Sequence, residues 1–174
     1  MPDFHRKPNR LEPESYRGAH SYFLTLCTAN RRALFTNATF VNAVLDVLCA
    51  TCASHSFSVY AYCFMPDHLH LILNGENDSS SLLRVVQAFK SLAAREARKI
   101  GIANLWQKGF YDHVLRDSNS IDAAAWYLFM NPVRAGFLQR AEEWPYSGSF
   151  VFPWPNVPVA ARPFVPPWKT KMAS

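Results

Sequence analysis

The sequence FMPDHLHLIL at residues 64–73 joins the end of one apolar segment to the start of the next. Residues 57–64 are rich in aromatic and β-branched side chains, as β-strands are, and residues 68–73 alternate between histidine and leucine before ending in two more apolar residues. The Met-Pro-Asp at residues 65–67 separates the two segments, because proline cannot donate to a β-ladder and Pro-Asp favours a turn. The stretch therefore predicts a β-hairpin.

The segments on either side of the hairpin predict the rest of the fold. Two further strands are expected at residues 20–28 and 110–116, and helices at residues 39–53, 81–100 and 121–130. The order β-α-β-β-α-β-α is that of an α+β, ferredoxin-like split βαβ sandwich. It predicts a four-stranded antiparallel sheet with helices on one face, followed by an added C-terminal helix.

Composition limits the architecture to one domain. The chain has 174 residues, of which 49% are apolar, and a net charge of +5. This size suits a single packed core, and the charge is compatible with a polyanionic partner. Residues 1–18 form a polar, basic N-terminal arm that contains Arg6, Lys7 and Arg10 and lacks the apolar run of a signal peptide. We expect a domain over residues 19–150, an extended proline-rich tail over residues 151–174, no membrane span and a cytoplasmic location.

A Cys-x-x-Cys pair raises the question of zinc or redox chemistry. Cys49 and Cys52 lie within the apolar run of the first predicted helix, where this spacing keeps both on one helical face. No second such pair follows, and His55 is the only other nearby ligand type. The pattern favours reduced, half-buried cysteines over a zinc or redox site.

His68 and His70 are the strongest candidates for metal ligands. Side chains alternate along a strand, so the two imidazoles project from one face while Leu69, Leu71 and Leu73 project from the other. Two neighbouring imidazoles suit one divalent cation, completed by oxygen ligands. The alternative is that His70 is only a hydrogen-bonded histidine on the sheet.

Tyr127 and Asn131 form the second candidate pair. They are four residues apart and therefore share one face of the last helix. An activated phenolate can attack phosphorus and form a covalent phosphotyrosine, and an amide oxygen can complete a metal coordination sphere. The alternative is that Tyr127, one of 7 tyrosines in the chain, packs at the boundary between helix and sheet.

Taken together, these motifs resemble a known family. The stretches FMPDHLHLIL, LLRVVQAFKSLAAREARK, LWQKGFYDHVLRD, YLFMNPVRAGF and WPYSGS follow one another over residues 19–150. In this order and spacing they resemble the single-tyrosine HUH insertion-sequence transposases, and most closely the REP-associated tyrosine transposases. The resemblance makes the last helix the catalytic helix.

The resemblance implies specific roles at the matching positions. His68 and His70 would bind the catalytic divalent metal ion, Mg or Mn, and Tyr127 would be the nucleophile. Asn131 stands where many members of the family have glutamine as a further ligand, and the shorter side chain makes direct ligation by Asn131 an open question. Asp67 would orient a histidine or simply shape the turn. Tyr111 is a rival nucleophile, although a strand tyrosine at that position is better suited to supporting the site or stacking on DNA.

The implied activity is metal-dependent cleavage and rejoining of single-stranded DNA near a hairpin, through a 5′-phosphotyrosine and a free 3′-hydroxyl. The resemblance also implies a bacterial, nucleoid-associated protein, and it allows a homodimer. Two alternatives remain open at this stage: a catalytically silent module that binds hairpin DNA or RNA, and a metal hydrolase acting on a small phosphodiester.

A polar stripe on the long helix is the candidate DNA-binding surface, with a solvated helix face as the alternative. Basic and polar side chains could contact phosphates, and exposed aromatic rings could stack on unpaired bases. The candidate DNA-binding residues are Arg84, Gln87, Lys90, Arg95, Arg98, Arg31, Arg32, Trp106 and Phe110.

Overall fold

The computed structural model describes residues 13–157 and 163–170. The basic residues predicted for the arm at positions 6, 7 and 10 lie outside this range. Five strands of the described chain form one antiparallel sheet in the order β4-β1-β3-β2-β5. Its strands are β1 (Ser21–Cys27), β2 (Phe57–Met65), β3 (His68–Gly75), β4 (Tyr111–Leu115) and β5 (Ser147–Gly148). The helices are α1 (Ala38–Ser54), α2 (Leu82–Lys99), α3 (Ser118–Phe129), α4 (Asn131–Arg134) and α5 (Pro167–Thr170).

The predicted fold class is confirmed, with one additional strand. Every predicted strand and helix is present, with ends that agree to within a few residues. The fifth strand, β5, has two residues and pairs with Tyr62 and Cys63 of β2. A Cβ on Gly148 would lie 2.6 Å from the hydroxyl oxygen of Tyr62, so only glycine permits this close approach. A strand this short carries no alternation, and the sequence therefore predicted only four strands.

The two faces of the sheet are covered by different helices. The leucines of β3 point towards α1 and α2 and join the larger apolar cluster. Helix α3 covers the opposite face, where its alanines pack against Phe23, Cys63 and Ile72. Burial on both faces fixes β3 in place, because a one-residue slip in register would exchange leucines for histidines. His68 and His70 therefore face the α3 side of the sheet, as their spacing predicted.

A β-bulge in β2 changes which side chains face each helix layer. The pairing between β2 and β3 shifts between Val59 and Ala61. Phe57 and Val59 belong to the cluster under α1 and α2, whereas Ala61 and Cys63 belong to the cluster under α3. One extra residue in a strand reverses the alternation beyond it. The small side chains after the bulge leave room for α3 to approach the sheet.

Two short sequences fix the ends of α3. Asp117 accepts a hydrogen bond from the Ser120 backbone N–H at 2.7 Å, and the Ser120 hydroxyl lies 3.2 Å from the Asp117 backbone N–H, a reciprocal capping arrangement. At the other end α4 begins at Asn131, and Pro132 provides no N–H to continue the ladder of α3. The chain keeps its helical sense across this break, since Met130 has φ −80° and ψ 0°.

The described part of the predicted tail packs against the α3 face of the sheet. Phe164 lies edge-on to Phe23, with ring centroids 4.9 Å apart, and Trp168 stacks on the same ring at 5.7 Å. Residues 163–170 therefore pack against the surface of the domain. Among the described helices, none has both the length and the apolar character needed to cross a membrane.

Candidate active site

His68 and His70 point their Nε2 atoms at one another. The Nδ1 atom of His68 lies 2.6 Å from a carboxylate oxygen of Asp67, and Nδ1 of His70 lies 2.7 Å from the hydroxyl of Thr25. Each ring is thus held from behind, which leaves the two Nε2 atoms facing a common point, 3.2 Å apart. Two Nε2 atoms bound to one cation at about 2.1 Å, at an angle near 100°, would be separated by about the same distance. The spacing of this pair therefore fits a shared metal ion.

Asp67 is the residue that aligns His68. Its other carboxylate oxygen lies 3.5 Å from Nε of Arg31, so the carboxylate is placed between a cation and an imidazole. The hydrogen bond to His68 and the charge of Arg31 lower the pKa of Asp67. An ionised carboxylate can only accept a hydrogen bond, so the proton of a neutral His68 lies on Nδ1 and its Nε2 carries a lone pair.

Helix α3 brings Tyr127 to the histidines. Its ring centroid lies 5.9 Å from that of His70 and 5.8 Å from that of Phe23. Phe164 of the C-terminal segment borders the same ring at 5.6 Å, and Tyr127 is only 8% exposed. The rings of Phe23, His70 and Phe164 pack roughly perpendicular to that of Tyr127, and together they restrict its rotation. A candidate nucleophile and a candidate metal site thus come together within a single chain.

Asn131 reaches His68 from the start of α4. Its amide nitrogen lies 3.5 Å from Nε2 of His68, while its amide oxygen accepts a hydrogen bond from Arg134 at 3.3 Å. The side chain is therefore adjacent to the histidine pair, but in this arrangement its oxygen faces away from them. In the described part of the chain, no third histidine, cysteine or acidic residue forms a metal-binding cluster with the pair.

The rival tyrosine lies on the same face of the sheet but farther away. Tyr111 is opposite Thr25 in β1, and Thr25 is in turn opposite His70 in β3. Two strand spacings, about 10 Å, therefore separate the backbones of Tyr111 and His70. The ring of Tyr111 lies 5.4 Å from that of Trp168. Of the two tyrosines, Tyr127 has its ring next to the histidines.

The predicted polar stripe on α2 is exposed. Arg84, Gln87, Arg95 and Arg98 point away from the buried face of the helix, which is formed by residues such as Phe89. Arg31 and Arg32 are also exposed, and the side chain of Arg31 is turned towards Cys27 and Asp67. These cations are available to an anionic partner, although exposure alone does not identify one.

Four of the DNA-binding candidates, Gln87, Lys90, Trp106 and Phe110, line a groove of about 470 Å³ beside α2. The ammonium group of Lys90 donates hydrogen bonds to the carbonyl oxygens of Gln107 and Gly109, at 2.8 and 2.7 Å. Trp106 is half-buried against Phe89 and donates to the carbonyl oxygen of Lys90. Phe110 is partly buried against the same cluster. Lys90 and Trp106 therefore hold the loop before β4 against α2.

The cysteine pair belongs to the packing of α1. Cys52 is buried, and this burial raises its pKa to about 12. Cys49 is half-buried, and its pKa is also raised. His55 follows the last turn of α1, with Nδ1 2.9 Å from the carbonyl oxygen of Thr51. Both cysteines are free thiols, which agrees with the expectation that they are reduced and pack within α1.

Sequence reasoning missed two residues of the site, Thr25 and Arg134. Thr25 is recognised only through the strand register that places it beside His70. Arg134 was detectable, since it lies seven residues after Tyr127 and three after Asn131, the spacing of one helical face. Its guanidinium carbon lies 4.0 Å from the centroid of the Tyr127 ring.

Comparison with known proteins identifies relatives of this chain. Residues 17–128 match the family described as "Transposase IS200 like". A REP-associated tyrosine transposase of Escherichia coli is 26% identical over 133 residues, which cover 73% of this chain and 74% of that protein. A Haemophilus influenzae protein provisionally named as the same type of transposase is 28% identical over 137 residues, covering 72% and 77% of the two chains.

A solved structure agrees in fold. It is that of a REP-associated tyrosine transposase bound to a REP hairpin, with a TM-score of 0.68 and 22% identity over 79% of each chain. The resemblance deduced from the ordered motifs is thereby confirmed, as is the expectation of a transposase-type enzyme. Because the matched region covers well over half of its length, this chain belongs to the IS200-like transposase family.

Proposed function

We propose that this protein is a metal-dependent single-strand DNA endonuclease and strand-transferase, in which Tyr127 is the nucleophile and His68 and His70 hold the metal. The observation that carries the proposal is the convergence of the three side chains. The two Nε2 atoms are 3.2 Å apart, and the Tyr127 ring centroid is 5.9 Å from that of His70. The family of the chain and the names of its relatives support the same chemistry.

Each residue has a distinct task in the proposed reaction. The Tyr127 oxygen, having lost its proton, forms a bond to phosphorus, and the bond from phosphorus to the 3′ oxygen breaks. The 3′ oxygen takes up a proton and leaves as a hydroxyl, and the 5′ side remains as phosphotyrosine. Attack by a 3′-hydroxyl on this link reverses the step and releases Tyr127. A bound Mg or Mn ion supplies Lewis-acid stabilisation of the phosphate charge.

The proposed substrate is single-stranded DNA beside a hairpin, of the repetitive extragenic palindrome type. The solved relative that is bound to a REP hairpin supports this choice. The exposed Arg84, Arg95 and Arg98 on α2 would contact the phosphates. Such a role would be exercised at the bacterial nucleoid. Because Tyr127 lies beside His70 of its own chain, we favour a site that is complete in one protomer, and a homodimer would then serve another purpose.

The orientation of Asn131 supports a second candidate function, a catalytically silent module that binds hairpin DNA or RNA. Its amide nitrogen, and not its oxygen, faces His68. An amide nitrogen does not ligate a divalent cation, so the site would need to rotate this side chain or do without it.

One assay separates the two candidates. Wild-type protein and Tyr127→Phe are incubated with a labelled hairpin oligonucleotide and Mn²⁺, and the products are resolved on denaturing and native gels. We expect a denaturation-resistant protein–DNA adduct with the wild type only, and a native-gel shift with both proteins. Tyr111→Phe is the matched control and should retain the adduct. A wild-type shift without an adduct would establish the binding module, and loss of the adduct in Tyr111→Phe alone would reassign the nucleophile.

A further inference from the structure

The guanidinium group of Arg134 contacts both Tyr127, the candidate nucleophile, and Asn131, which lies beside the histidine pair. The guanidinium carbon of Arg134 lies 4.0 Å from the ring centroid of Tyr127. The same guanidinium donates hydrogen bonds to the backbone carbonyl oxygen of Tyr127 and to the side-chain oxygen of Asn131. The cleavage chemistry proposed above assigns Arg134 no part.

Helical geometry explains how the three residues meet. Positions 127, 131 and 134 follow the spacing i, i+4, i+7, which keeps side chains on one face over two turns. The break at Pro132 does not disturb this alignment, because Met130 retains helical angles and the Ala135 N–H donates to the carbonyl oxygen of Asn131 at 3.0 Å. The planar guanidinium can therefore lie against the ring while its N–H groups reach the neighbouring oxygens.

Arg134 is a charged neighbour of the Tyr127 ring, which is otherwise surrounded by aromatic rings. The rings of Phe23, Phe164 and His70 are roughly perpendicular to that of Tyr127, at interplanar angles of 81°, 72° and 72°. Arg134 lies over its face. An arginine side chain keeps its charge in proteins, so the guanidinium remains a cation beside the phenol ring.

We infer, on the basis of the proposed cleavage reaction, that Arg134 is a positioning residue for Tyr127. It holds the ring from one face, fixes the amide of Asn131, and keeps a positive charge over the ring that carries the attacking oxygen. A charged, planar group that is held in place before the reaction lowers the cost of aligning the nucleophile. Removing it should slow formation of the phosphotyrosine adduct by about 10- to 100-fold and leave hairpin affinity within about twofold.

The test separates the rate of adduct formation from DNA binding. Wild type, Arg134→Ala, Arg134→Lys and the control Arg140→Ala are compared at saturating labelled hairpin with Mn²⁺, and the dissociation constant is measured in parallel. Arg140 is a suitable control because its side chain is 71% exposed and pairs only weakly with two glutamates. Arg134→Lys keeps a charge without the planar fork and should fall between Arg134→Ala and the wild type.

Rescue by a small molecule distinguishes positioning from a purely structural role. We expect millimolar guanidinium chloride, but not sodium chloride at the same ionic strength, to accelerate adduct formation by Arg134→Ala. If Arg134→Ala does not fold, a lysine variant with wild-type adduct rates overturns the inference. It is equally overturned if Arg134→Ala matches Arg140→Ala, or if it is slow and guanidinium has no effect. A wild-type protein that forms no adduct refutes the proposed cleavage itself, a result distinct from these.

Discussion

Replacing Thr25 by valine should weaken metal binding without changing the shape of the site. Thr25 and His70 are buried, at 5% and 4% exposure, and the hydroxyl lies 2.7 Å from Nδ1 of His70. Valine has nearly the same shape as threonine but can neither donate to nor accept from the imidazole. The substitution therefore removes the hydrogen-bond partner of Nδ1 of His70 and little else.

The tautomers of the two rings show why this hydroxyl matters. Asp67 fixes the proton of His68 on Nδ1, so the 3.2 Å contact between the rings is a hydrogen bond donated by Nε2 of His70. The Thr25 hydroxyl then donates to Nδ1 of His70. A cation held by both Nε2 atoms requires the other tautomer of His70, in which Nδ1–H donates to Thr25. A rotating hydroxyl serves both forms, whereas a methyl group serves neither.

The expected size of the effect follows from the role of Thr25 behind a ligand. Loss of such a partner typically reduces metal affinity by about 10- to 100-fold, which corresponds to about 1.4 to 2.8 kcal/mol. The loss of a buried hydrogen bond should also lower the free energy of unfolding by about 1 to 3 kcal/mol. Metal binding can be measured from the loss of the free Mn²⁺ signal in electron paramagnetic resonance, and stability from urea unfolding.

Thr51→Val is the matched control for this experiment. Thr51 is 2% exposed, and its hydroxyl donates to the carbonyl oxygen of Val47 within α1, on the other side of the sheet. The Thr51→Val protein should therefore be less stable than the wild type but keep its affinity for Mn²⁺. If Thr25→Val and Thr51→Val bind Mn²⁺ with affinities within about twofold of each other, the assignment of Thr25 as the support of a ligand is refuted.

Two further substitution and labelling experiments test the rest of the structure. Lys90→Met should lower the free energy of unfolding by about 1 to 3 kcal/mol, because the ammonium bridges two carbonyl oxygens of the loop before β4. The dependence of DNA affinity on salt concentration should not change in this variant. If the slope of log affinity against log salt concentration is instead reduced by about one, Lys90 contacts a phosphate. Because burial raises the pKa of Cys52 to about 12, only about one thiol in 10⁴ is ionised at about pH 8. Iodoacetamide should therefore label Cys52 in native protein much more slowly than a free thiol, at a rate that rises with pH, as mass spectrometry can show; rapid labelling at pH 8 would contradict this.

The features that the sequence predicted correctly are those that local patterns encode. The hairpin follows from a proline between two strand-like segments, and the shared face of His68 and His70 follows from the alternation along a strand. The placement of Tyr127 beside Asn131 follows from helical spacing in the same way. In each case, two residues that are close in sequence are made neighbours by the period of one element.

The features that it missed depend on how elements meet. Thr25 supports His70 only because β1 and β3 pair in one particular register, 45 positions apart in sequence. Phe164 reaches Tyr127 through a proline-rich segment in which no periodicity indicates a contact. Lys90 is basic and lies on the helix that carries the polar stripe, yet its ammonium is engaged by a loop that joins α2 to β4. Spacing along one element carries no information about such partners.

The distribution of buried polar groups distinguishes the site from the rest of the core. In the described part of the chain, three of the six buried polar residues donate hydrogen bonds to backbone carbonyl groups of loops and helix turns. The other three bond to side chains on different elements, and together with His68 they form one network. A buried polar group costs stability unless it is paired, and a network of side chains is harder to satisfy than a backbone turn. In the proposed function, this network would position the histidines that hold the metal. The first set is Thr28, Thr51 and Ser80, and the second is Thr25, His70 and Asn131.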